Sequence, residues 1–193
     1  APILGIAPAS LFLLPLHVVL LELIIDPTCS IVLERQPAEE DIMNRPPRDP
    51  KEQMLTRKGL MKSVLQGLVM FVSAFGIYYW TILQQPSNAP LARTMGLSVL
   101  MLSNLLLVLV NSSDHDSILH SIRRMAKDRV MWIVNIGILT GLAVILYTPV
   151  SSILKLAPLT AIQLLTAAGL AIVSTCWFEL VKAIRRSRNR IVS

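Results

Sequence analysis

The chain has 193 residues, 53% of them hydrophobic and only 16% charged, with a formal net charge of +6. Soluble domains carry about 25% charged residues, and here the apolar residues fall into long runs, which argues for membrane spans and against a soluble domain. The basic excess clusters between those runs, so it reads as membrane orientation and not as nucleic-acid binding; Cys29 and Cys176, each inside an apolar run, suggest neither a disulfide framework nor a zinc site.

Residues 1–10 read as the end of an upstream helix followed by a Pro-containing turn. The chain opens on Ala-Pro-Ile-Leu without a basic signal-peptide start, and the reading expects spans upstream of it. Five runs are long enough to cross a bilayer: 11–33, 64–83, 94–111, 130–148 and 159–181. The expected fold class is all-α, a polytopic membrane helical bundle of five full transmembrane helices plus the end of a preceding one. It forms a single membrane domain over 1–193.

The first span holds Glu22 and Asp26. A carboxylate at mid-membrane costs about 2.5–3.5 kcal/mol on insertion scales, so such residues face a bundle interior or a water-filled path and mark ion routes. Four residues apart, the two share one face of a helix. Both offer oxygen ligands suited to Ca²⁺, Mg²⁺ or Mn²⁺, or to protons. Pro27 lacks an N–H, so the Leu23 carbonyl loses its helical partner; local helix unwinding there would give a cation site a free backbone oxygen. The alternative is a carboxylate paired with a basic residue of another span. His17, five residues before Glu22, reads as a polar residue near the outer interface rather than a proton group at a pore mouth.

The loop 34–58 is polar and Pro-rich, and an extended, ordered cytoplasmic segment is expected there, the alternative being a flexible linker. Tyr78, Tyr79 and Trp80 end the second span and read as interface anchors, as does Tyr147 at the end of the fourth. Asn104, near the centre of the third span, either completes an oxygen site or hydrogen-bonds a neighbouring helix. The Asp114, His115, Asp116 and His120 cluster reads as a solvated loop. Residues 182–193 form a basic tail. Sixteen of the eighteen Lys and Arg residues fall between the first two spans, before the fourth and after the fifth; only Arg93 and Lys155 fall on the other side. The positive-inside rule therefore makes the C-terminus cytoplasmic.

The stretch Glu22-Leu23-Ile24-Ile25-Asp26-Pro27, followed by Asp41-Ile42-Met43-Asn44-Arg45-Pro46-Pro47-Arg48, resembles the sixth transmembrane helix and following loop of P-type cation-transporting ATPases, on the calcium-pump-like branch. Animal reticulum-type pumps carry N-L-V-T-D-G and then D-I-M-N-R-P-P-R, with the same separation of fifteen residues as between Asp26 and Asp41. Ala92-Arg93-Thr94-Met95 resembles the start of the family's eighth helix. The likeness runs from the end of helix five through helix ten.

The resemblance implies that Asp26 binds the transported cation, that Glu22 stands where the family has an Asn ligand, and that Asn104 falls at or beside a helix-eight ligand position. It implies a coupling role for Asp41, Met43, Arg45, Pro46, Pro47 and Arg48, which would contact the phosphorylation domain. Ile25 replaces a Thr ligand and Pro27 a Gly. ATP and Mg²⁺ would be bound by domains outside this chain, which carries no catalytic residue, binds no cofactor of its own and is expected to be inactive alone. Its partners would be the upstream helices and cytoplasmic domains of the same pump, the lipid bilayer and the cation, with no nucleic acid. Calcium leads as the ion, then manganese, then protons or sodium, and the cell's plasma membrane is the expected location. The rival readings are a stand-alone regulatory protein derived from a pump, and an ion-coupled secondary transporter.

Overall fold

The computed structural model describes residues 11–34, 57–111 and 129–192. Every regular element among them is helical: α1 (Pro15–Glu34), α2 (Arg57–Gln84), α3 (Ala89–Asn111), α4 (Arg129–Tyr147), the single turn α5 (Val150–Ile153) and α6 (Ala161–Val192). Among the described residues, two stretches are long and apolar enough to cross a membrane, Gly59–Gln84 and Ala89–Val108; Trp132–Tyr147 and Ala161–Trp177 are apolar but shorter. The expectation of five full spans is thus met at full length by two helices. Helix α1, 20 residues long, carries Glu22, Asp26 and Glu34. Helix α6 continues through the basic residues of the expected tail to Val192.

Local sequence sets several helix starts. Asn88 caps α3, accepting the Leu91 N–H on its side-chain oxygen at 3.3 Å, and Pro90 sits in the first turn, where a missing N–H costs nothing. Thr160 and Gln163 form a reciprocal capping box at α6. The Thr160 N–H donates to Gln163 Oε1 at 2.9 Å, and the Gln163 N–H donates to Thr160 Oγ1 at 3.4 Å.

The core is built around α3. Residues Leu91 through Val99 are all buried, and α3 packs against α1, α2, α4 and α6. On one side, Leu91, Met95, Leu97 and Met101 meet Leu142, Ile145 and Leu146 of α4 and Leu154, Leu156 and Leu159 of the following loop. On another, Val99 meets Ala74 of α2 and Ala167 of α6. Small residues let helix backbones approach closely, which is how membrane helices associate without a hydrophobic driving force between them. A buried Ser103–Ser174 hydrogen bond of 3.1 Å joins α3 to α6.

The start of α1, the α2–α3 turn, the end of α4 and the start of α6 lie at one end of the bundle. Arg93 Nε donates to the Leu11 carbonyl at 2.7 Å, the Ala157 N–H donates to Thr94 Oγ1 at 2.9 Å, and the Tyr147 hydroxyl donates to the Leu159 carbonyl at 2.9 Å. These are the ends that the charge pattern groups on one side, and they carry Arg93 and Lys155. One anchor is corrected here. Tyr78 is fully buried, with its ring 4.9 Å from Phe12 and 5.7 Å from Phe75, because the chain preceding α1 folds over that face of α2. Trp80 and Tyr147 remain exposed.

Candidate functional site

The start of α1 is held in place before its carboxylates are reached. Leu14 is the capping position, its carbonyl accepting the N–H of His17 at 2.9 Å and of Val18 at 3.3 Å. Its own N–H donates to His17 Nδ1 at 3.2 Å. The imidazole thus does what a Glu or Gln does in a capping box, reaching back from the third helical position to the cap N–H. Ahead of it, Phe12 lies over Gly96 of α3. A Cβ at Gly96 would overlap Phe12 Cε2 and stand 3.0 Å from the Ala74 carbonyl oxygen, so glycine's missing side chain is what admits the ring.

Burial divides α1 lengthwise. His17, Leu20, Leu21 and Ile24 form the covered side, and the last three pack on the core made by α3, α4 and the loop after α4. Val18, Val19, Glu22, Leu23 and Asp26 are exposed. The two carboxylates therefore share the open side of α1, with Leu23 between them, its side chain 70% exposed. On this open side two negative charges sit near apolar Val18, Val19 and Leu23. In a bilayer that surface would require a covering helix, a water-filled path or a bound cation.

Asn104 is half-buried on α3, a helix that also packs against the covered side of α1. Among the described residues, no three His, Cys, Asp or Glu side chains cluster as metal ligands do. The unwinding expected at Pro27 is corrected: α1 is helical without interruption from Pro15 to Glu34. Proline removes one backbone donor, and a membrane helix can continue through that loss, so what remains is a Leu23 carbonyl without its helical N–H partner. Asp41, Met43, Arg45, Pro46, Pro47 and Arg48 of the expected coupling loop lie outside the described residues, as do residues 1–10 and the Asp114–His120 cluster.

Sequence reasoning missed His17 as a structural element. Its exposure is 0%, and Nε2 lies 2.6 Å from the Leu154 carbonyl oxygen. The available signal was its place three residues after Leu14 and two after Pro15, which is the acceptor position of a capping box. The Arg93–Thr94 pair was noticed as a motif. Its contacts with Leu11 and Ala157 depend on chain segments far away in sequence.

Residues 10–184 match the family described as "Cation transporting ATPase, C-terminus". Over 157 residues the chain is 22% identical to "Calcium-transporting ATPase type 2C member 1" of Homo sapiens, covering 81% of this chain and 17% of that protein. It is similarly 22% identical to the Bos taurus protein of that name, covering 81% and 16%, and 21% identical to the Mus musculus one, covering 81% and 17%. The chain spans less than a fifth of the length of these relatives. The family match over nearly the whole length identifies the chain as a member of the cation-transporting ATPase C-terminal family, and the described residues, helical in every regular element, agree with it.

Proposed function

We propose that the chain is the ion-translocating membrane portion of an ATP-driven P-type cation pump of the calcium-pump-like branch, with calcium as the leading ion and manganese, protons or sodium after it. The observation that carries this reading is the pair Glu22 and Asp26, exposed together on the open side of a helix whose other side is anchored to the core. Two carboxylates balance one divalent cation, and a neutral site is far less costly at membrane depth than either charge alone. The family match supports the pump, and the similarity to proteins named as calcium-transporting supports the ion.

On this reading Glu22 and Asp26 supply the first oxygens, and the Leu23 carbonyl, released from helical bonding by Pro27, supplies another. Upstream helices of the same pump cover the open side and complete the coordination shell. Asn104 joins only when α1 turns its carboxylate side toward α3, so Asn104→Ala weakens binding less than Asp26→Asn. The Asp41–Arg48 loop receives the phosphorylation state from cytoplasmic domains, which also hold ATP and Mg²⁺. The basic segments, including the end of α6, face the cytoplasm of a cell whose plasma membrane houses the pump.

The test is phosphoenzyme formation in native membranes, with labelled ATP, with and without Ca²⁺ or Mn²⁺, and an antibody to the 185–193 peptide. The expected result is a labelled, antibody-reactive band several-fold larger than 21.3 kDa that depends on one of the cations. An unlabelled band at the mass of this chain would overturn the reading in favour of a stand-alone protein.

A further inference from the structure

The α5 turn ends in a complete Schellman motif. The Lys155 N–H donates to the Ser152 carbonyl at 3.1 Å, and the Leu156 N–H donates to the Ser151 carbonyl at 2.8 Å. Lys155 takes the left-handed position with φ 52°, where glycine usually stands. The Leu154 carbonyl stays outside the motif's own bonds and is the one His17 meets at 2.6 Å. A backbone N–H can only donate and a carbonyl can only accept. His17 Nδ1 is therefore the acceptor from Leu14, and Nε2 carries the proton that binds Leu154. One neutral ring thus closes the cap of α1 and ties that cap to the loop between α5 and α6.

The packing of Leu20, Leu21 and Ile24 side chains on the core is non-directional. A buried hydrogen bond to a fixed carbonyl sets both the height and the rotation of α1. Because α1 is continuous, a shift at His17 is delivered along the same rod to Glu22, about 7.5 Å further along the axis, and to Asp26, about 13.5 Å along it.

We propose that His17 is a positioning residue for the cation site: through its bond to Leu154 it sets the rotation of α1, and with it the placement of Glu22 and Asp26, from the loop between α5 and α6. This inference rests on the reading of Glu22 and Asp26 as cation ligands.

The test uses the intact protein in native membranes. Phosphoenzyme formed from labelled ATP is titrated with Ca²⁺, and with Mn²⁺ in parallel, giving a half-maximal concentration and a maximal level. His17→Leu keeps bulk and removes both hydrogen bonds, and it raises the half-maximal concentration about tenfold, the scale of one lost buried hydrogen bond. His17→Gln, whose amide oxygen accepts from Leu14 and whose NH₂ donates to Leu154, stays within about twofold of the parent. Lys155→Pro removes the N–H bound to Ser152 and forbids φ 52°. It displaces the Leu154 carbonyl without touching α1, and it shifts the half-maximal concentration in the same direction as His17→Leu. A purely structural role would lower the maximal level at unchanged half-maximal concentration, and that result overturns the proposal; equal impairment by Leu and Gln also overturns it. If His17→Leu does not accumulate, Lys155→Pro decides alone, and a parental half-maximal concentration there refutes the coupling. Asp26→Asn run alongside separates the two readings. Loss of cation dependence in Asp26→Asn with no shift in the His17 and Lys155 variants removes the positioning role only. Retained cation dependence in Asp26→Asn removes the site and the positioning role together.

Discussion

Helices α1 and α3 are apolar and of similar length, 20 and 23 residues, yet they do opposite things. Nine consecutive residues of α3, Leu91 to Val99, are buried, and every other long helix packs on it. Of the described residues of α1 only His17 is buried, and the carboxylates stand on its open side. The difference teaches that hydrophobicity alone does not decide which helix makes the core. Small residues do so in α3, where Ala92, Gly96, Ser98 and Ser103 let four neighbours approach. Helix α1 is instead tethered near its first turn and left open along the side that carries charge, as a helix does when part of its surface is reserved for something else.

The comparison can be broken at either helix. The largest effect is expected from α1. On the proposed function, Asp26→Asn abolishes cation-dependent phosphorylation of the intact protein while leaving its thermal unfolding in detergent nearly unchanged, because the side chain is exposed in the fold. Retained cation dependence would sink the site assignment. In α3, Gly96→Val is expected to destabilise by about 3 kcal/mol, since the new methyls meet Phe12 and the Ala74 backbone, and a lowered unfolding temperature in detergent checks it. Arg93→Met leaves the Leu11 carbonyl without its charged donor and costs about 2 kcal/mol in the same measurement. Ser103→Ala removes one interhelical hydrogen bond, for about 0.6 kcal/mol, the average for polar contacts between membrane helices. The smallest effect is expected at Val173, exposed on α6. Val173→Leu should stay within about 0.5 kcal/mol, and a larger change would mean that this face is covered in the intact protein.

What was legible of the candidate site has a local signal. Two carboxylates four residues apart in an apolar run share a helix face whatever surrounds them, and the later loop motif at fixed distance resembles that of the family. The interface role given to Tyr78 failed because a residue at a span end looks the same whether lipid or Phe12 covers it. The unwinding given to Pro27 failed because proline deletes a hydrogen bond without dictating whether the helix stops there.

The sequence by itself determined the helical class and the placing of Glu22 and Asp26 on one side of a helix. Each depends on residues within a few positions of one another, or on plain counts along the chain. Only the tertiary structure decided which side of α1 is covered, what fills the space above Gly96 and where the His17 proton goes. The His17–Leu154 bond joins residues 137 positions apart, and a carbonyl left over by one turn has no mark in the sequence until the fold brings a donor to it.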